Sequence, residues 1–283
     1  MTVPGSNPPR TTAPSFDRLA RAYRWMEYLS FGRALEHCRF HFLDRLGDRR
    51  RALALGDGDG RFTARLLAHY PAIRAHAIDG SAAMLEALRR RALAADAADR
   101  LTLELADLRN WSMRGWSRNL RNPAGASRNQ TGDLPHAGTD EAAGAATGRA
   151  AAAPDLIVTH FFLDCLTTDE VAALASRLRD LSASGVLWLI SEFAVPARGW
   201  MRPLAAALVA ALYRAFRLLT GLGPQQLPDY PAAMTRAGWQ RIERCEHLCG
   251  LLTSELWATA RSSRALTAPR GGCGVRDARG LQR

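Results

Sequence analysis

Residues 52–62 read ALALGDGDGRF: four apolar residues, then glycines at 56, 58 and 60 alternating with aspartates, then Arg61. The apolar run predicts a buried strand, and the residues from Arg61 onward have the spacing of a helix. Glycine costs conformational entropy, so three at one junction point to positive φ or to a backbone that comes within contact distance of a ligand. In an open parallel sheet, ligands bind beyond the carboxyl ends of the strands, where the strand order reverses. A glycine loop after the first strand lies in that region.

The chain around this loop alternates between two periods. Strands are predicted at 52–55, 75–79, 101–106, 155–161 and 185–193, with helices at 61–69, 81–95 and 168–182 between most of them. The last helix opens with TTDE, where Thr167 caps and Glu170 reaches back, a capping box. Helical spacing also runs from Phe16 to Leu46. A further helix over 203–220 places Arg202, Arg214 and Arg217 on one face and Leu204, Leu208, Leu212, Phe216 and Leu219 on another. A short helix around DYPAAM ends at Gly238, and alternating runs at 239–248 and 251–259 predict a terminal hairpin. The expected fold is α/β: a doubly wound, mostly parallel sheet with a C-terminal antiparallel hairpin. Residues 16–260 form the expected domain. Residues 1–15, the Gly/Asn/Ala-rich stretch 113–153 and residues 261–283 are expected to be disordered.

The net charge of +11 across 283 residues does not mark a nucleic-acid surface. The chain contains no lysine, alanine is abundant, and 261–283 alone carry six arginines against one aspartate, which reads as compositional bias. Five cysteines without a CxxC pair suggest neither a disulfide framework nor a zinc knuckle. Cys245, His247 and Cys249 alternate, but the outer two would stand about 13 Å apart on a strand, too far for one ion. His37 and His41 have helical i, i+4 spacing without a visible third ligand, so no metal is expected. The N-terminus lacks the apolar core of a secretory signal, and no apolar run reaches the roughly 18 residues that span a bilayer. A cytoplasmic location is the expectation.

Two cofactor classes use such a loop. A dinucleotide enzyme shows GxGxxG, but Arg61 occupies the place of its third glycine. GxGxG is the alternative, and with it the sequence resembles the class I S-adenosylmethionine-dependent methyltransferases, whose sheet is Rossmann-like. The likeness covers roughly 16–259 apart from the insert. It rests on ALALGDGDG (52–60), AIDGSAAML (77–85), LELADLRNW (103–111), DLIVTHFFLDCLT (155–167) and AGWQRIERCEHLCG (237–250) in order. The resemblance implies S-adenosyl-L-methionine as cofactor, held by Gly56, Asp57, Gly58, Gly60, Asp79, Gly80, Asp107, Leu108 and His160. Asp79 would accept from the ribose hydroxyls and Asp107 from the adenine amine, with Leu108 on the ring. One position departs from the family: Ala54 stands where an acid is usual. Asp57 and Asp59 are the candidates to compensate, and a non-catalytic cofactor-binding or scaffold protein is the alternative reading.

Methyl transfer is an in-line displacement that needs alignment and a dry site, and a base only where the nucleophile must lose a proton. His160 and Asp164, after the fourth strand, are the candidate catalytic residues, with Glu192 ending the fifth. THFF (159–162) replaces the proline-rich signal of amino-methylating DNA enzymes, so nucleic acid is not an expected partner. FDRLARAYRWMEYL (16–29) resembles the front segment of quinone-biosynthesis C-methyltransferases and their small-molecule relatives. Tyr23, Trp25 and Tyr28 are therefore candidate contacts for a small hydrophobic or aromatic acceptor. The 203–220 helix is expected to serve as a lid, with at most weak peripheral membrane contact through its basic face.

Overall fold

The computed structural model describes residues 33–109, 111, 153–196, 203, 207 and 227–259. Tyr23, Trp25, Tyr28, the 113–153 insert up to position 152 and the 261–283 tail lie outside these residues. Of the 203–220 segment only Pro203 and Ala207 are described, both helical.

Among the described residues, seven strands form one sheet: β1 (Arg51–Leu55), β2 (Arg74–Asp79), β3 (Leu101–Leu105), β4 (Leu156–His160), β5 (Leu187–Phe193), β6 (Trp239–His247) and β7 (Leu252–Thr259). Their spatial order is β3-β2-β1-β4-β5-β7-β6. The first five are parallel, while β7 pairs antiparallel with both β5 and β6. The order reverses between β1 and β4, so the loops leaving those two strands open into the crevice where such sheets bind ligands. Among the described residues, five bounded α-helices accompany the strands: α1 (Arg33–Phe40), α2 (Arg61–His69), α3 (Ala82–Ala94), α4 (Thr168–Leu181) and α5 (Tyr230–Arg236).

Strand alternation divides the core into two faces. On one, Leu53, Leu55, Ile157, Trp188 and Ile190 pack with Val171, Leu174 and Leu178 of α4 and Ala233 and Met234 of α5. On the other, Ala52, Leu156, Val158, Leu187 and Leu189 pack with Phe62, Leu66 and Leu67 of α2. Two tryptophans brace the first face edge-on, with centroids 5.1 Å apart. Their buried N–H groups are satisfied, Trp188 donating to Thr159 Oγ1 at 3.0 Å and Trp239 to Ala175 O at 3.0 Å. The predicted capping box on α4 is present in full: Thr167 Oγ1 accepts from the Glu170 N–H, and the Glu170 carboxylate accepts from the Thr167 N–H at 2.7 Å.

One expectation needs correcting. The front helix does not run on to Leu46; α1 ends at Phe40, and a separate 3-10 turn spans Leu43–Arg45. The turn lets Tyr70 donate its hydroxyl proton to Leu43 O, which ties the turn to the end of α2. The expected C-terminal hairpin is present, with β6 and β7 paired antiparallel. Its second strand lies inside the sheet between β5 and β6, and its connection is a 3-10 turn in which Leu248 and Cys249 take positive φ.

Candidate active site

The glycine loop leaves β1 directly into α2, and its three glycines have different reasons to be glycine. All take positive φ, at +62°, +58° and +74° for Gly56, Gly58 and Gly60. A Cβ on Gly56 would stand 2.3 Å from the Phe162 ring, and one on Gly60 2.4 Å from Leu88. These two are packing glycines. A Cβ on Gly58 would meet nothing within 4 Å. Gly58 is thus the point where backbone faces open space at the carboxyl end of β1, as an approaching ligand requires.

The aspartates of the loop are engaged with the protein itself. Asp57 is buried, and its Oδ2 accepts from the Thr63 N–H at 2.9 Å and the Thr63 hydroxyl at 2.7 Å. It therefore satisfies one of the exposed donors of the first turn of α2. Burial pushes its carboxyl up to about 6, against the pull of Arg39 and Thr63. Asp59 faces away from the crevice into a clamp of Arg61 at 3.0 Å and Arg91 at 2.8 Å. Ala54 packs with Ala64, Ala77 and Leu88 between sheet and helices, so an acid there would be buried among apolar groups.

Asp79 ends β2 beside the loop. Its Oδ1 accepts from the Ser81 N–H at 2.8 Å, and the Gly58 backbone also hydrogen-bonds to the carboxylate. Burial, reinforced by Asp57, pushes it up to about 6. Gly80 next to it is exposed. After β3, Asp107 is exposed and its Oδ1 accepts from the Arg109 N–H at 3.0 Å, while Leu108 is buried with Trp111 in the first core face.

The structure separates the two catalytic candidates. His160 ends β4 on the α2 face, fully enclosed, its ring 4.3 Å from that of Phe62. Neither ring nitrogen has a hydrogen-bond partner among the described residues. Burial, with the Arg39 charge, holds it well below the usual imidazole range, so the ring is neutral. Asp164 belongs to the 3-10 turn Leu163–Cys165 after β4, where burial raises its carboxyl to about 6. It adjoins Glu192 on β5, and each carboxylate raises the cost of ionising its neighbour. Glu192 Oε1 accepts from the Phe162 and Leu163 N–H groups at 3.0 and 2.7 Å, and burial keeps its carboxyl well above the ordinary range. With Phe161 at positive φ, these bonds turn Phe162 onto Gly56.

Arg39 was not among the sequence candidates. It is buried, its guanidinium lies 5.5 Å over the Phe161 ring, and its charge acts on both Asp57 and His160. The signal available was a charge within an apolar stripe, since Leu35, Cys38 and Arg39 all lie on the buried side of α1.

Residues 52–118 match the family model described as a methyltransferase domain. The fold is that of the class I methyltransferases. Among solved structures with this methyltransferase fold, the mitomycin 7-O-methyltransferase MmcR is 14% identical, with a TM-score of 0.55 over 89% of this chain and 62% of its own. An O-methyltransferase family 2 protein from Planctomyces limnophilus, in complex with apigenin, is 17% identical with a TM-score of 0.54, over 87% of this chain and 62% of its own. CalO1, a methyltransferase in calicheamicin biosynthesis with SAH bound, is 16% identical with a TM-score of 0.52, over 87% and 58%. The chain thus spans less than two thirds of the length of these structures. No curated protein matches the sequence.

Proposed function

We propose that this chain is an S-adenosylmethionine-dependent methyltransferase whose acceptor is a small, hydrophobic or aromatic molecule. The observation that carries the reading is Gly58: a positive-φ backbone position with open space before it, beside the raised carboxyl of Asp79. When bound, the cofactor supplies a methyl group made electrophilic by its sulfonium. Gly58 would let the backbone close on it, Asp79 would accept from its ribose hydroxyls, and Asp107 from its adenine amine above Leu108. Gly56 and Gly60 act indirectly, by seating Phe162 and Leu88 so that the loop keeps its path.

Of the catalytic candidates, Asp164 is the better placed to take a proton. It is half-buried after β4 with a carboxyl near 6, whereas the His160 imidazole is walled in by Phe62 and Arg39. His160 then serves the loop as packing. Alignment in a dry site supplies the remainder of the assistance. Two of the solved structures name small molecules, mitomycin and apigenin, and these motivate the acceptor class. Tyr23, Trp25 and Tyr28 are the proposed contacts for that acceptor, and residues 203–220 are proposed to cover it. No helix among the described residues is long and apolar enough to cross a membrane, and the proposed location is cytoplasmic.

Calorimetry on the full chain tests the cofactor, with saturable binding of S-adenosylmethionine and none of NADH expected. Binding of NADH alone would overturn the reading. Host extract incubated with the protein and methyl-labelled cofactor tests the acceptor class by mass spectrometry. Label should enter small apolar compounds, and label confined to protein or nucleic acid would refute that class.

A further inference from the structure

Two histidines from different parts of the chain meet at the far edge of the sheet from the glycine loop. His41 follows α1 directly, and His247 ends β6, with ring centroids 5.1 Å apart in an edge-on contact. Cys245 lies two residues before His247 and therefore on the same face of β6. One donor atom from each of His41, Cys245 and His247 falls within 4.8 Å of the others. Cys245 is disulfide-bonded, so its sulfur is not a thiolate in this state.

We propose that His41, Cys245 and His247 form a binding site for a zinc-class divalent ion when the disulfide at Cys245 is reduced, giving the sheet edge a thiol-dependent metal clamp. Two imidazoles and one thiolate are a donor set that suits this borderline-soft ion, with the fourth position left for water or another group. Orientation is already provided. His247 Nε2 is hydrogen-bonded to Ser254 Oγ at 3.1 Å, which directs its other nitrogen elsewhere, and Ser254 also donates to Cys38 O on α1. Such outer-sphere bonds fix ring orientation in metal sites.

The reduction step balances with a phosphine as reductant. The disulfide takes up two electrons and two protons, and the phosphine becomes its oxide with the oxygen of water. The Cys245 thiol then gives its proton to solvent as the ion binds, and the ion keeps its oxidation state. The bound ion would join the chain just past α1 to β6, to which the Arg45–Glu243 ion pair at 2.9 Å already ties the following 3-10 turn. His41 stands two residues from Arg39, so the same clamp would hold the helix end that reaches the glycine loop.

The test is a titration of the full chain with Co2+, with and without prior phosphine treatment and removal of the reagent. Reduced protein should bind one ion, with a thiolate-to-cobalt charge-transfer band and the intense visible bands of tetrahedral Co2+, and Zn2+ should displace it. Oxidised protein should bind at least about tenfold more weakly, as should reduced His41→Ala and His247→Ala, a loss that even outer-sphere substitutions can produce. His41 is exposed, so its variant tests the site without disturbing the core. Equal binding before and after reduction, binding unaffected by either histidine substitution, or no tetrahedral spectrum in the reduced protein would overturn the proposal.

Discussion

Asp57 carries a cost that its hydrogen bonds only partly offset. Its carboxyl is raised to about 6 in the folded chain, whereas an unfolded aspartate titrates near 3.9. Below the unfolded value both states are protonated, no charge is buried, and the site's contribution to stability is fully present. Between the two values only the folded state holds the proton, so this contribution to stability falls as pH rises and stays lost above 6. Asp57→Asn keeps an oxygen for Thr63 without the buried charge. Melting curves from pH 4 to 7.5 should show a flatter profile for the variant and a gain at pH 7.5 of up to about 3 kcal/mol. The glycines offer a second contrast at this scale. Gly56→Ala drives a methyl into Phe162, whereas Gly58→Ala meets only space and the cost of its positive φ, about 1–2 kcal/mol. Calorimetry and melting together should find Gly56→Ala chiefly destabilised, and Gly58→Ala chiefly weakened for S-adenosylmethionine. Asp79→Ala removes an acceptor whose hydrogen bonds, being charged, are worth about 1.5–3 kcal/mol each. Cofactor affinity should fall at least tenfold with the melting temperature maintained, and an unchanged Kd would exclude Asp79 from the site.

The elements of the fold were largely legible in the sequence because period and punctuation agreed. The apolar alternation of β6 and β7, Thr167 with Glu170 at the head of α4, and the glycines closing β1 are local signals, and each produced the element it announced. Thr167→Ala should lower stability by about 1 kcal/mol, the ordinary value of a helix cap, read as a fall of a few degrees in melting temperature. What was not legible depends on which elements become neighbours. Arg39 looks like any helical arginine until α1 packs against the end of β4. His41, just past the end of α1, meets Cys245 and His247 only because β6, roughly two hundred residues later in the chain, folds against it. The face of a strand is legible only when its neighbours are known, so His160 and Asp164, four residues apart, could be read together in sequence although His160 packs on Phe62 of α2 and Asp164 adjoins Glu192 of β5.

For the whole molecule, cofactor binding is also a stability measurement. A ligand that binds only the folded chain at a hundred times its Kd stabilises it by about 2.7 kcal/mol. S-adenosylmethionine should therefore raise the melting temperature of the wild type, and leave that of Asp79→Ala nearly unmoved at the same concentration. The sheet order has another consequence, one that concerns synthesis. β7 is buried along almost its whole length and covers the hydrogen-bonding edge of β5, yet among the described strands it is the last to be made. Until Thr259 has cleared the exit tunnel, the nascent chain presents an uncapped strand carrying Leu187, Leu189 and Ile190 to whatever else is in the cell. A chain stalled after Phe193 is thus a template for wrong pairing, and release of the final hairpin is what commits the sheet to one molecule.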